Sequence, residues 1–302
     1  MPSLRSRLLL MTASVIGERV EYRDPATVRR KIEDNYVKPA SYAPPRRLTR
    51  ATRVDMDFDY GWPCYTVAPS RGEPAVDVLF IHGGAYVDEI SGMHWRMVQQ
   101  LVDELRARVT VPVYTLAPAG NAARVVPEVT KLAGDIAEAA PHGVVFAGDS
   151  AGGGLALAAA QRLRDDPDRT RGPDRLVLIA PWLDVTMEDP QTITAEQGDP
   201  ELSRPALRFA GRVWAHHLPT DDPAVSPING KMAGLPPVSL YSGTRDTLNA
   251  DAHRFARLAR EAGVEVDFHE APDQLHAYPL YRIPEGRRAR DQIVAAIRPL
   301  AG

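Results

Sequence analysis

The chain has 302 residues, which is enough for one large domain with a well-buried core. Its composition, with 44% hydrophobic and 25% charged residues, is that of a globular protein and argues against a disordered chain. A formal net charge of -3 gives no electrostatic reason to expect a nucleic-acid partner or an anionic membrane surface.

The single cysteine, Cys64, cannot form an internal disulfide, so the fold must be stabilised by its core. A lone thiol also fits a reducing compartment, and we expect a cytoplasmic protein. Near the amino end, Arg5 and Arg7 precede a short apolar run, as they do in secretory signals. Polar Thr12 and Ser14 interrupt that run and no clear cleavage site follows, which favours an amphipathic helix. The run is also too short to be an integral membrane segment.

Short apolar runs alternate with longer helical patterns along most of the chain, which is typical of parallel βαβ units. A hairpin at 52–67, with turn residues Gly61 and Pro63, precedes these units. We therefore expect an α/β fold with a mostly parallel central sheet flanked by helices. The predicted strands are 76–81, 109–116, 143–147, 175–180, 238–242 and 264–270, and the predicted helices are 93–108, 128–140, 151–163, 250–262 and 287–300.

Two regions depart from this alternation. Residues 1–50 are helical and interrupted by prolines, whereas residues 184–236 are rich in Pro, Asp and Gly, with a helical piece near 205–217. Structureless loops of that length are uncommon in compact domains, so the second region is expected to be an insertion with its own helices. Together the two regions predict a helical cap over the carboxyl ends of the strands. The core is expected at 51–183 and 237–302, as one domain overall.

The most informative motif is Gly148-Asp149-Ser150-Ala151-Gly152, which follows a predicted strand and precedes a predicted helix. This is the G-x-S-x-G pattern in its required context. A serine on so sharp a turn needs neighbours without side chains two residues away on either side, and the two glycines meet that need. The helix start directs its N–H groups towards developing negative charge. We expect Ser150 to be a nucleophile; the alternative is a turn that merely packs or binds phosphate.

A second glycine-rich segment, HGGAY at 82–86, follows the first of the predicted parallel strands. Glycine lets main-chain N–H groups come within about 3 Å of an oxyanion. We expect Gly83 and Gly84, together with the N–H group of Ala151, to form a three-donor oxyanion hole. An ordinary turn after a strand is the competing interpretation. The position of the segment on a separate strand end, before the serine, favours the oxyanion role.

Among the eight histidines, His276 is the best placed to be a general base. It lies in the loop between the last predicted strand and the last predicted helix, where such a base must lie. Asp246 follows the strand at 238–242 and is placed to accept the Nδ1–H group of the histidine. A helix N-cap role for Asp246 is compatible with this, and Asp251 is the alternative acid. The order Ser, Asp, His along the chain is the one expected for this fold.

Together these motifs resemble the bacterial hormone-sensitive-lipase-like esterases, also called family IV lipolytic enzymes, of the α/β-hydrolase superfamily. The likeness covers about residues 75–300, where HGGA at 82–85 and GDSAGG at 148–153 look like the oxyanion and nucleophile motifs of that family. Ala85 departs from the usual third glycine, and Asp-x-Leu-x-x-Asp at 246–251 departs from the usual Asp-x-Leu-x-Asp.

The resemblance implies a serine carboxylesterase that hydrolyses short to medium acyl esters through an acyl-enzyme. It implies a small-molecule ester substrate and no cofactor, and since many members form dimers, a homodimer is also an expectation. One alternative is an amidase or lactonase, such as an arylformamidase, that uses the same apparatus. Another is a non-catalytic receptor of the same fold, because plant hormone receptors that resemble these esterases have lost part of the triad. The presence of Ser150, Asp246 and His276 argues against a receptor.

Overall fold

The computed structural model describes residues 2–15 and 22–301. The strands in these ranges are β1 (Thr52–Asp57), β2 (Cys64–Pro69), β3 (Val76–Ile81), β4 (Ala107–Pro112), β5 (Val144–Asp149), β6 (Arg175–Ile179), β7 (Val238–Gly243) and β8 (Val266–Ala271). The α-helices are α1 (Leu4–Val15), α2 (Pro25–Val37), α3 (Arg46–Ala51), α4 (Gly92–Leu105), α5 (Ala122–Ala139), α6 (Ser150–Asp165), α7 (Pro190–Glu196), α8 (Arg204–Ala215), α9 (Asn249–Glu261) and α10 (Pro284–Ile297).

The strands form one sheet in the order β1-β2-β4-β3-β5-β6-β7-β8. The hairpin of β1 and β2 is antiparallel, and β2 also pairs antiparallel with β4. From β4 onwards across the sheet, every neighbouring pair is parallel. The predicted α/β fold with a mostly parallel sheet is therefore confirmed. Because the parallel strands point the same way, their carboxyl ends share one edge, and loops from separate parts of the chain meet there.

Helices cover both faces of the sheet, which explains why its central strands are almost continuous apolar runs. Helices α4 and α10 pack on one face, whereas α5, α6 and α9 pack on the other. Every residue of β3 and of β5 is buried. The two layers of helices hold the sheet rigid, and the loops at its carboxyl edge start from fixed points.

The strand predicted at 109–116 and the helix predicted at 128–140 have different bounds in the structure. Strand β4 ends at Pro112, which has no N–H group to continue the ladder. Helix α5 begins at Ala122 and contains Pro127 inside it. The usual helix-breaking effect of proline is outweighed here because Val125, Val126 and Val129, which surround it in the sequence, belong to a buried apolar face of the helix.

Both regions predicted as a cap contain helices, with α1 to α3 in the first and α7 and α8 in the second. Helix α2 packs against α8, so the amino-terminal region and the insertion touch each other. Helix α1 is bound to the core by Ser3, whose N–H and hydroxyl groups donate to Glu285 at 2.6 and 2.8 Å. Ser6 adds a hydrogen bond from its hydroxyl to Gln274 at 3.0 Å. The proposed limits of core and cap stay a prediction.

None of the helices within residues 2–15 and 22–301 is both long enough and apolar enough to span a bilayer. The cytoplasmic location stays a prediction.

An aromatic stack joins the cap to the core. The ring of Trp214, on α8, lies parallel to that of Tyr86 with centroids 3.9 Å apart and an angle of 4°. On the core side, Trp182 packs against Tyr86 with a centroid distance of 5.6 Å. All three side chains are fully buried. Since Tyr86 belongs to the loop after β3, the cap rests directly on that loop.

Replacing Trp214 with Ala is expected to lower the free energy of unfolding by about 3–5 kcal/mol, because it leaves a large cavity between cap and core. Urea denaturation followed by circular dichroism measures this change. Tyr36→Ala is the matched control, since Tyr36 is 81% exposed and its loss is expected to cost less than about 0.5 kcal/mol. Equal costs for the two variants would contradict the role given to the stack.

Candidate active site

Ser150 stands on a sharp turn between β5 and α6. Its φ of 50° lies in the left-handed region, which costs about 1 kcal/mol or more for a residue with a side chain. A Cβ at Gly152 would come within 2.1 Å of the carbonyl oxygen of Ile81, and one at Gly148 within 2.5 Å of the backbone of Gly152. The close packing of this turn against β3 therefore explains Gly152, and the tightness of the turn itself explains Gly148.

His276 and Asp246 lie on neighbouring loops, after β8 and β7. The imidazole Nδ1 is 2.9 Å from Oδ2 of Asp246, whose side chain is fully buried. The N–H group of Leu248 donates to the other carboxylate oxygen at 2.9 Å, so the acid is fixed by its own turn. Burial lowers the pKa of His276. The charge of Asp246, the hydrogen bond to it and the charges of Asp199 and Glu201 together outweigh burial and raise the pKa to about 9.

The serine turn and the two loops meet at a cavity of about 840 Å³, which both Ser150 and His276 line. In the described part of the chain, the hydroxyl group of Ser150 has no hydrogen-bond partner and is open to a ligand. Serine–histidine bonds are often long in unliganded enzymes and shorten when substrate binds. Asp251, the alternative acid, lies in α9 beside Arg254, with its Oδ1 3.9 Å from the guanidinium. The partner of the imidazole is thus Asp246.

A hydrogen bond between the loop after β3 and the serine turn corrects the expectation that the N–H group of Gly83 is an oxyanion donor. The N–H group of Gly83 donates to Oδ1 of Asp149 at 3.0 Å, so it is already used and is not an oxyanion donor in this arrangement. A Cβ on Gly83 would come within 2.3 Å of the same carboxylate. The glycine is therefore needed for close approach to Asp149. Gly84 and Ala85 line the cavity instead, with φ of 113° and 50°.

Asp149 also contacts His94 at the start of α4, a histidine to which the sequence analysis assigned no role. The distance from His94 Nε2 to Oδ2 of Asp149 is 3.3 Å. On the other side of the ring, the N–H group of Ser91 donates to Nδ1 at 2.9 Å, so the proton of a neutral imidazole lies on Nε2. Burial raises the pKa of Asp149, but the interactions with His94 and Gly83 outweigh it and lower the pKa. Asp149 is therefore a buried carboxylate that joins three elements.

Two carboxylates from the segment between α7 and α8 lie near the pair of His276 and Asp246, and sequence reasoning identified neither. Asp199 accepts the N–H and hydroxyl groups of Thr247 at 2.8 and 2.9 Å. Glu201 lines the cavity and accepts the hydroxyl group of Tyr281 at 3.1 Å. These contacts join residues 48 and 80 positions apart, so no local pattern could have indicated them.

Replacing Gly83 with Ala is expected to lower the free energy of unfolding by about 1–3 kcal/mol, because the new methyl group must push the loop away from Asp149. Urea denaturation measures the loss. Gly172→Ala is the control, since a Cβ at Gly172 meets no atom within 4 Å. If both variants were as stable as the unchanged protein, the packing between the loop and Asp149 would not matter as described.

Two known hydrolases share much of the sequence of this chain. The chain is 32% identical over 240 residues to an acetyl-hydrolase of Streptomyces hygroscopicus, covering 78% of this chain and 79% of that one. It is 37% identical over 207 residues to a triacylglycerol lipase of Mycobacterium tuberculosis, where the match covers 67% of this chain and only 42% of the longer lipase.

Solved structures show the same fold over nearly the whole chain. A protein of Staphylococcus aureus assigned as an esterase superposes with a TM-score of 0.84 at 25% identity, over 98% of each chain. A hormone-sensitive lipase from a metagenome library gives a TM-score of 0.80 at 22% identity, over 99% of each chain. A family model that is described as an α/β-hydrolase fold matches residues 78–280, which is more than half of the chain. This chain therefore belongs to the α/β-hydrolase family.

Proposed function

We propose that this protein is a carboxylic ester hydrolase in which Ser150 is the nucleophile, His276 the general base and Asp246 the acid that orients it. The observation that carries the proposal is the 2.9 Å contact of His276 with buried Asp246 at the cavity onto which the strained Ser150 opens. The relatives named above as a lipase and an acetyl-hydrolase support ester hydrolysis. The fold alone does not determine the chemistry, so the side chains of the site carry the argument.

In the proposed acylation step, Ser150 Oγ attacks the ester carbonyl carbon while Nε2 of His276 takes its proton. The tetrahedral intermediate collapses, the bond to the alcohol oxygen breaks, and the histidine returns the proton to the leaving alcohol. A water molecule activated by the same imidazole then attacks the acyl-enzyme and releases the acid. Asp246 keeps the imidazole in the required tautomer and stabilises its cation.

For the oxyanion hole we propose the N–H groups of Gly84 and Ala85, with that of Ala151 behind the nucleophile. Gly84 and Ala85 line the cavity, whereas the N–H group of Gly83 is bound to Asp149. Ala151 is the second residue of α6, where helix N–H groups have no partner within the helix. These donors are fixed before a substrate binds, which is the condition for strong electrostatic stabilisation.

Short to medium acyl esters are the proposed substrates. A cavity of about 840 Å³ is within the range of small-molecule sites. Its lining is mixed, with apolar Leu9, Leu207 and Leu280 alongside the charged groups. The predicted homodimer stays a prediction.

Ser150→Ala is expected to reduce hydrolysis of p-nitrophenyl butyrate by a factor on the order of 10⁴ or more, because no other group supplies the nucleophile. A fluorophosphonate probe should label the unchanged protein and leave the variant unlabelled. Ser70→Ala is the control, because Ser70 is an exposed residue of the turn after β2. Undiminished hydrolysis by Ser150→Ala would refute the assignment.

The rate of hydrolysis is expected to rise towards alkaline pH. Burial lowers the pKa of His276, but the neighbouring carboxylates raise it from 6.5 to about 9, and only the neutral imidazole accepts a proton. The logarithm of kcat/KM for p-nitrophenyl butyrate should therefore increase with pH and level off only above the pKa of the base. His253→Gln, on the exposed side of α9, should leave this profile unchanged. A plateau that is already reached below neutral pH would contradict the prediction.

A further inference from the structure

We propose that Glu201 makes the site selective for esters whose leaving alcohol carries a positive charge, such as an amino alcohol or a quaternary ammonium alcohol. This inference rests on the proposed function and goes further, because it names the class of alcohol. Its basis is the position of Glu201 beside the base, on a segment fixed at both ends, in a cavity whose one described lysine is already bound to Asp88.

The segment between α7 and α8 is held across the acid–base pair. At one end, Asp199 is bound to Thr247, the residue after the orienting acid, by the two hydrogen bonds of 2.8 and 2.9 Å. Asp199 also accepts the N–H group of Glu201 at 2.8 Å. At the other end, Leu202 forms a parallel bridge with Tyr22 of the amino-terminal region. The backbone of Glu201 therefore has a fixed place over the site.

The side chain of Glu201 is held in turn by the loop of the base. The hydroxyl group of Tyr281 donates to its two carboxylate oxygens, at 3.1 and 3.3 Å. Tyr281 follows His276 by five positions in the same loop, and all three residues line the cavity. The negative charge of Glu201 raises the pKa of His276, and the histidine lowers that of Glu201, so the two groups are electrostatic neighbours.

The proton transfer by His276 determines which part of the substrate lies next to Glu201. His276 must return its proton to the leaving alcohol, so the alcohol oxygen is placed at the imidazole when the ester bond breaks. A carboxylate next to the imidazole therefore faces the alcohol portion of the ester and not the acyl portion. Glu201 is thus placed to distinguish alcohols by their charge.

No cationic side chain among the described residues of the cavity occupies the position next to Glu201. Among the described lining residues, Lys31 is the one lysine or arginine, and its ammonium group binds Asp88 at 2.6 Å. The carboxylate of Asp149 is bound to His94. The hydrogen bonds that Glu201 accepts come from a neutral phenol. When His276 is neutral, as it must be to react, no cation of the described cavity stands beside Glu201.

Burial gives a reason why a cationic alcohol would bind better than a neutral one. Burial raises the pKa of Glu201, to about 7, because the residues around the carboxylate compensate its charge only in part. A cation on the alcohol supplies that compensation, and the attraction is strong because the site is partly shielded from water. A neutral alcohol of the same shape leaves the carboxylate uncompensated.

The test compares two butyrate esters of equal shape. One is the butyrate ester of choline. The other is the butyrate ester of the uncharged alcohol in which a carbon atom replaces the quaternary nitrogen of choline. The quantity measured is the ratio of their kcat/KM values. We expect Glu201→Gln to lower this ratio about tenfold, the size of effect that one moderately screened charge pair produces. The ratio cancels effects on the base itself, since a change in the pKa of His276 acts on both esters alike.

Two variants serve as controls. Glu265→Gln removes one negative charge from an exposed position and should leave the ratio unchanged. Glu201→Asp keeps the charge and should retain most of the preference. An unchanged ratio in Glu201→Gln would overturn the inference, as would an equal fall in Glu265→Gln.

A measurement on the unchanged protein keeps the inference testable if Glu201→Gln fails to fold. Free choline should inhibit hydrolysis of p-nitrophenyl butyrate about tenfold more strongly than its uncharged isostere, and added salt should reduce that difference. Equal inhibition by the two alcohols would overturn the inference while the proposed function stands. Failure of the protein to hydrolyse any of the three esters would instead refute the proposed function, and the inference with it.

Discussion

The carboxylate of Asp149 ties the serine turn to the loop after β3. A buried ionised carboxylate is costly unless it is well compensated, and here His94 and the N–H group of Gly83 supply that compensation. Ser150 is the next residue in the chain, and Gly84 follows Gly83. The proposed nucleophile and the proposed oxyanion donors therefore keep one relative position before any substrate arrives. Catalysis that relies on fixed dipoles depends on this kind of arrangement.

Much of the sheet and of the site could be predicted because the signals are local. A fully buried parallel strand such as β3 is an apolar run, and the serine turn needs Gly148 and Gly152 wherever it occurs. The role of Gly83 could not be predicted by such local reasoning. A glycine is required both where the backbone approaches a ligand and where it approaches a neighbouring side chain, and the sequence does not distinguish the two. Pro127 shows another limit, since the apolar face of α5 outweighs the local rule for proline.

The contribution of the cap to the electrostatics of the site could not be read from the chain at all. The insertion has no regular hydrophobic period between its helices, and the partners of Asp199 and Glu201 lie far away in sequence. Only the folded structure brings these carboxylates to His276. Their charges add to that of Asp246, so the pKa of His276 depends on the position of the cap relative to the core. Recognition of the alcohol and activation of the nucleophile thus involve the same segment.

The stack of Trp214 on Tyr86 has a consequence for attempts to widen the range of substrates by laboratory evolution. Tyr86 directly follows Ala85, so a substitution that tilts α8 is transmitted through the two rings to the backbone that lines the cavity. Libraries aimed at bulkier esters are therefore better directed at Leu9 on α1. Leu9 lines the cavity from the amino-terminal region, where a new shape can be selected without displacing the groups that meet the reacting carbonyl.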